Sequence, residues 1–348
     1  GVVMSRSYQA MSADGHLETS ENFWPRHLAK KYLERAPRLV GLDDGTEGWI
    51  VEGQPLYSNG RVIFGGRKPI KTGGVSYFNP DGSPAPGTGN AVQRLHEQDQ
   101  DGIDAEVLFP AVQGSRLLWN ITDTDFYVAL VQAYNSFLAE EFCSVAPDRL
   151  IGVGVIPVSG IDDAVNELKR IKQLGLKTVI LHKFPNGGGR AKPEDDRFWS
   201  TALELGLAIS PHGSFGDTGK EITAAQRGKE DWVMHLGGLG AGHGCIFACA
   251  QLIDAGVFDR FPELQIMFAE TNAGWMPFDF YMFDDRYNIY GPGFNVKYPM
   301  KPSEYVKKHC HFSFVRDPWA VKLRDHLYVD KLMWSSDFPH GVTSFPDS

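Results

Sequence analysis

Near the start of the chain, 11-MSADGHLETS-20 sets Asp14, His16 and Glu18 at alternate positions. A period of two is the spacing of one strand face, so Asp14 and His16 point the same way from a strand end, and Glu18 lies past the expected end of the strand. The strand runs into DGHLE, where an open nucleotide-binding α/β sheet would need a glycine-rich phosphate turn. A closed barrel is the alternative, and the rest of the chain is consistent with it.

From residue 90 onward, apolar runs alternate with helix-period segments. AEVLF (105–109), LIGVGVIP (150–157), KTVILH (177–182), GLAISPH (206–212), LQIMFAE (264–270), HFSFV (311–315) and KLMWSSD (331–337) read as buried parallel strands. With YQAMSADGH they make eight. Segments such as NAVQRLHEQDQ, GIDDAVNELKRIKQLG and HGCIFACAQLIDAG supply the intervening helices. This predicts an α/β fold, a distorted (β/α)8 TIM barrel forming one domain over residues 1–348. Asp14, His16, His182, His212, Glu270, Arg316 and Asp337 all fall at or just after C-terminal strand ends, where a barrel gathers its active site.

Residues 41–90 interrupt the alternation. WIVEGQPLYSNGRVIFGGRKP predicts a β-hairpin turning around Asn59-Gly60, followed by the Gly/Pro-rich GGVSYFNPDGSPAPGTGN. This β-hairpin insertion after strand 1 reads either as an active-site lid or as a surface excursion.

At 348 residues with 42% hydrophobic content, the chain can bury a large core. A net charge of −9, without a run of five like charges, argues against nucleic-acid and membrane-surface partners. No apolar stretch is long enough to span a bilayer, and GVVMSRSYQA lacks a signal-peptide core, so a cytoplasmic protein is expected. Cys143, Cys245, Cys249 and Cys310 form no CxxC pair and are expected in the core.

His212 ends ISPHG and Asp337 ends WSSDFPH. With Asp14 and His16 they supply carboxylates and imidazoles suited to one divalent metal, zinc first and manganese as the alternative, with positions left for water and substrate. HLGGLGAGHG, which holds His235 and His243, does not follow a strand directly. It reads as a loop or helix start, not a nucleotide loop or part of the metal site.

Together DGHLE, PHG, FAETNAGWMPFDFYMFDDRY and WSSDFPH resemble the amidohydrolase-related family that includes aminocarboxymuconate semialdehyde decarboxylase and the metal-dependent benzoate-type decarboxylases. The resemblance spans almost the whole chain. It implies that Asp14 and His16 from the first strand, His212 from the fifth and Asp337 from the eighth surround the metal. The acid-x-His pair is similar to that of the aromatic-acid decarboxylases, whereas hydrolases of the wider superfamily more often show His-x-His. Where many of these decarboxylases carry a histidine after the sixth strand, this chain has Glu270. The family also continues beyond the eighth strand into a closing helix, whereas this sequence reaches SFPDS, so a shortened chain or a different closure is expected.

Asp337 is the expected proton relay, with an N-cap as its alternative role. Glu270 reads as a metal ligand, a second acid/base or a partner of Arg316. His340 orients Asp337 or the substrate, or makes a structural hydrogen bond. His182, beside Lys183, and Arg316 are candidates for binding a substrate carboxylate, with a wall histidine the alternative for His182. Trp24, Trp119, Trp275 and Phe338 are candidates for ring contact.

The function expected is non-oxidative decarboxylation of an aromatic or unsaturated carboxylic acid without an organic cofactor. The alternative is hydrolysis of an amide, lactone or C–C bond by a metal-bound hydroxide. A binding barrel without catalysis would have no reason to keep all four ligands. The resemblance and the apolar insertion imply a homodimer.

Overall fold

The computed structural model describes residues 6–43, 45–57, 76–110, 118, 121–216 and 244–348. Trp119, His235, His243 and the expected turn at Asn59-Gly60 lie outside them.

All eight expected strands are present. β1 (Met11–Leu17) is followed, after the insertion strands β2 (Arg38–Gly41), β3 (Glu47–Val51) and β4 (Gln54–Tyr57), by β5 (Ala105–Pro110), β6 (Leu150–Val155), β7 (Thr178–Ile180), β8 (Ala208–Ile209), β9 (Ile266–Phe268), β10 (Cys310–Phe314) and β11 (Leu332–Trp334). The eight barrel strands form one sheet in the order β1-β5-β6-β7-β8-β9-β10-β11. The β1–β5, β5–β6, β8–β9 and β9–β10 pairs are parallel. Sequential order with intervening helices, among them Ile161–Gln173, Asp196–Leu205 and Gly244–Asp254, is the (β/α)8 arrangement. The chain leaving β11 returns to β1, as closure requires: Ser336 N–H donates to Ser12 Oγ (2.9 Å), Asp337 N–H to Asp14 O (2.9 Å) and His16 N–H to Phe338 O (2.8 Å). The barrel is distorted by a register shift in β1 between Ser12 and Gly15, and by a β8 of only two residues.

The chain divides into two compact units. The first comprises residues 1–157, 170–178 and 334–348. Here the helix Thr124–Phe137 starts at Asp123, whose side chain accepts from Phe126 N–H, and it buries Phe126, Leu130, Tyr134 and Phe137 along one stripe. Phe137 stacks on Phe23 at 4.0 Å. The second unit comprises residues 158–169 and 179–333. Its helix Gly244–Asp254 buries Cys245 and Cys249, with Cys249 Sγ 3.7 Å from Cys310 Sγ. All four cysteines are buried, in keeping with their core assignment.

The insertion is a three-stranded antiparallel sheet, β2-β3-β4, and it begins before residue 41. Its hairpin turns at Glu52-Gly53, where Val51 pairs with Gln54, ahead of the Asn59-Gly60 turn read from sequence. A two-residue loop of type I′ needs positive φ at both positions; Glu52 adopts 49° and Gly53 74°. The following loop is packed into its unit. Glu47 accepts from Ser76 Oγ (2.8 Å) and Tyr77 N–H (2.8 Å), and Tyr77, Ala85 and Thr88 are fully buried.

Candidate metal centre

In the first unit, the end of β1 and the segment after β11 bring Asp14, His16, Asp337 and His340 together. Asp14 and Asp337 are fully buried. His16 Nδ1 lies 3.0 Å from Asp337 Oδ1 and 3.9 Å from Asp14 Oδ1. His340 Nδ1 lies 3.3 Å from Asp337 Oδ1, and its ring stacks on His16 at 3.9 Å. One donor atom each from His16, Asp337 and His340 falls within 4.8 Å of the others, close enough to hold one ion.

The electrostatics suit a cation. Burial, and next the charge of Asp337, push the Asp14 pKa well above the usual carboxylate range. Burial acts on Asp337 in the same direction, but the charge of His340 and hydrogen bonds from His16 and His340 outweigh it and hold its pKa below that range. Burial would lower the His340 pKa; the charge of Asp337 and hydrogen bonds to Asp337 and Glu18 raise it instead. Two buried carboxylates, one of which raises the pKa of the other, beside two imidazoles, fit the ligand chemistry of a divalent cation.

Asp337 has φ = 51°, in the left-handed region that few side chains enter without strain. The conformation turns its backbone back toward β1. Glu270, after β9, adopts φ = 53°, and its N–H donates to Ser313 Oγ at 2.9 Å.

In the second unit, His212 forms a bridge to Ala269, and its Nε2 lies 3.3 Å from Glu270 Oε2. His182 follows β7 half-buried, with its carbonyl accepting from Gly216 N–H at 3.1 Å. Arg316 follows β10 and is exposed. Trp275 is half-buried and donates Nε1–H to Thr271 O at 2.9 Å.

Trp24 is a core side chain packed on Phe23. The Phe338 ring is buried between the Arg94 guanidinium (4.5 Å) and Phe345 (4.4 Å).

Of three further residues in this neighbourhood, the sequence singles out Glu18 but not Glu106 or Arg94. Glu18 leaves the strand as expected yet stays buried: His340 Nε2 lies 3.3 Å from its Oε1, and Tyr77 Oη donates to its Oε2 at 3.3 Å. Burial raises the Glu18 pKa. Glu106 and Arg94 form a buried ion pair at 2.8 Å. A charge inside the apolar run AEVLF is the signal that could have marked Glu106.

Known proteins bear on this arrangement. A model of the amidohydrolase family matches residues 93–345. The 2-amino-3-carboxymuconate-6-semialdehyde decarboxylase of Dictyostelium discoideum is 28% identical over 335 residues, covering 95% of this chain and 82% of that protein. The crystal structure of amidohydrolase map2389c from Mycobacterium avium subsp. paratuberculosis K-10 superposes with a TM-score of 0.70 at 21% identity, over 97% of this chain and 92% of that one. The 5-carboxyvanillate decarboxylase of Novosphingobium aromaticivorans, solved with manganese and 4-hydroxy-3-methoxy-5-nitrobenzoic acid, gives a TM-score of 0.61 at 18% identity, over 96% and 87% of the two chains. With the family model matching most of its length, the chain belongs to the amidohydrolase family.

Proposed function

We propose that this chain is a metal-dependent, non-oxidative carboxy-lyase acting on an aromatic or unsaturated carboxylic acid. The observation that carries the reading is the buried pair Asp14 and Asp337 beside His16, in a family member whose relatives include decarboxylases of such acids. The ligands assigned are Asp14, His16, His212 and Asp337. A carboxylate-rich set without sulfur suits manganese at least as well as zinc, and manganese is the ion in the 5-carboxyvanillate decarboxylase structure. We therefore put manganese ahead of the zinc favoured from sequence.

When bound, the ion would supply Lewis-acid polarisation of the substrate carboxylate and a neighbouring oxygen. Asp337, ionised at rest, relays to the carbon that bears the carboxylate a proton that the His340 imidazolium beside it can supply. The electron pair of the broken C–C bond ends in the new C–H bond, CO2 departs, and nothing is oxidised or reduced. His340 holds the Asp337 carboxylate, and Glu18 holds His340 from its other nitrogen. Glu270, beside His212, orients that imidazole or serves as a second acid/base. His182, Trp275 and Arg316 are assigned to substrate contact, whereas Phe338 acts through its carbonyl, which accepts the His16 N–H.

Glu270 also favours a second reading, hydrolysis, because a carboxylate touching an imidazole can take a proton from water. Among the described residues no helix is long and apolar enough to cross a membrane. We place the enzyme in the cytoplasm as one catalytic domain that works as a homodimer.

The test is CO2 release from a panel of hydroxybenzoates and ring-cleavage acids by chelator-treated protein reloaded with Mn2+ or Zn2+. Turnover that returns with metal is expected. A metal-loaded protein that decarboxylates neither class would refute the proposal.

A further inference from the structure

Behind the candidate centre, and apart from its carboxylates, lies the buried ion pair of Arg94 and Glu106, 4% and 2% exposed. Glu106, on β5, presses against β1: a Cβ placed on Gly15 would fall 2.0 Å from Glu106 Oε1. Its carboxylate therefore abuts the backbone between Asp14 and His16. Glu106 Oε1 also accepts from Ser336 Oγ at 3.5 Å, one residue before Asp337, and its Oε2 accepts from Gln98 Nε2 at 3.3 Å.

Arg94, on the helix Ala91–Asp101, donates Nε–H to Glu106 Oε2 (2.8 Å) and Nη2–H to Phe338 O (2.9 Å), one residue after Asp337. That carbonyl is the one accepting the His16 N–H at 2.8 Å, and the guanidinium lies on the Phe338 ring. The pair thus grips the chain on both sides of Asp337 and at the one position between Asp14 and His16.

We infer that Arg94 and Glu106 are positioning residues that set the spacing of Asp14 and His16 on β1 against Asp337 after β11, and so tune metal affinity. The inference rests on the metal site proposed above. A buried ion pair is a poor source of stability, and apolar side chains of similar size often replace one without loss. The planar guanidinium fork does what an apolar pair cannot: it fixes two acceptors, Glu106 Oε2 and Phe338 O, at a set separation. Groups that orient metal ligands typically alter affinity 10- to 100-fold.

The test measures Mn2+ affinity of chelator-treated protein from the free-ion electron paramagnetic resonance signal, with kcat and KM on whichever acid is turned over. Parent protein is compared with Arg94→Met, Arg94→Lys, Glu106→Gln, His16→Ala and Leu168→Ala. Leu168 is a fully buried residue of the second unit, so its variant controls for lost stability alone.

Arg94→Met is expected to weaken Mn2+ binding about 10- to 100-fold. Glu106→Gln should follow in the same direction, Arg94→Lys should recover part of the loss, and Leu168→Ala should bind as the parent does. Should Arg94→Met fail to fold, Glu106→Gln decides, because it keeps shape and acceptor. Affinity within twofold of the parent in folded Arg94 and Glu106 variants, or an equal loss in Leu168→Ala, overturns the inference. Full Mn2+ binding by His16→Ala overturns the site reading itself, and the inference with it.

Discussion

The backbone N–H of Asp337 donates to the carbonyl of Asp14 at 2.9 Å, which ties the carboxylate that follows the last barrel strand to the one carried by the first. Asp337 reaches this bond in a left-handed conformation, with φ = 51°. The seam that closes the sheet is therefore also where Asp14, His16, Asp337 and His340 meet.

That seam has little room to spare at Gly15. In Gly15→Ala the new Cβ meets Glu106 Oε1, so either the carboxylate or β1 must shift. Overpacking of this kind costs about 1–3 kcal/mol. Urea denaturation should show a lower midpoint at an unchanged slope, and an unchanged midpoint would show that Glu106 has space to move.

Metal retention tests the ligands one at a time. His16→Ala and His212→Ala should purify folded, by circular dichroism, and should take up far less than one equivalent of Mn2+ in elemental analysis after dialysis. Stoichiometric metal in His212→Ala would remove that residue from the set.

His309 gives the fold an acid sensitivity unrelated to the centre. It is buried, its Nδ1 lies 2.7 Å from Leu264 O, and its ring stacks on Phe258 at 4.3 Å. Burial lowers its pKa below the ordinary value for histidine. As pH falls through about 6.5, the unfolded chain takes up a proton at this residue before the folded chain does, so the native state loses stability there. Above that pH both states are neutral and the effect is absent. The Tm of the parent should drop more between pH 7.5 and 5.5 than that of His309→Asn, which keeps a donor but does not titrate. Equal drops would assign the acid sensitivity elsewhere.

The barrel was legible because strands covered on both faces are written as continuous apolar runs, and LIGVGVIP and LQIMFAE could be read as little else. Asp14 and His16 were legible because a period of two survives any tertiary context. The turn at Glu52-Gly53 was not legible, because Glu52 at φ = 49° holds a conformation that its side chain does not announce. Arg94 reads as one more charged residue on an exposed helix face until β5 brings Glu106 to it. Glu18 looks like the polar end of a strand until Tyr77, from the distant insertion, covers it. Both depend on partners far away in sequence, which local patterning does not encode.

Turnover in isotopically labelled water tests the central claim, decarboxylation with Asp337 as the proton carrier, most directly. In D2O the product should carry deuterium at the carbon that lost CO2, and in H2(18)O no label should enter the organic product. Asp337→Asn should fold, since asparagine tolerates positive φ, but its kcat should fall at least ~10²-fold, the scale for losing a positioned acid/base. Labelled oxygen in a new carboxylate or alcohol would identify a hydrolase instead. Near-normal turnover by Asp337→Asn would contradict the assigned role of Asp337 under either chemistry and pass it to Glu270.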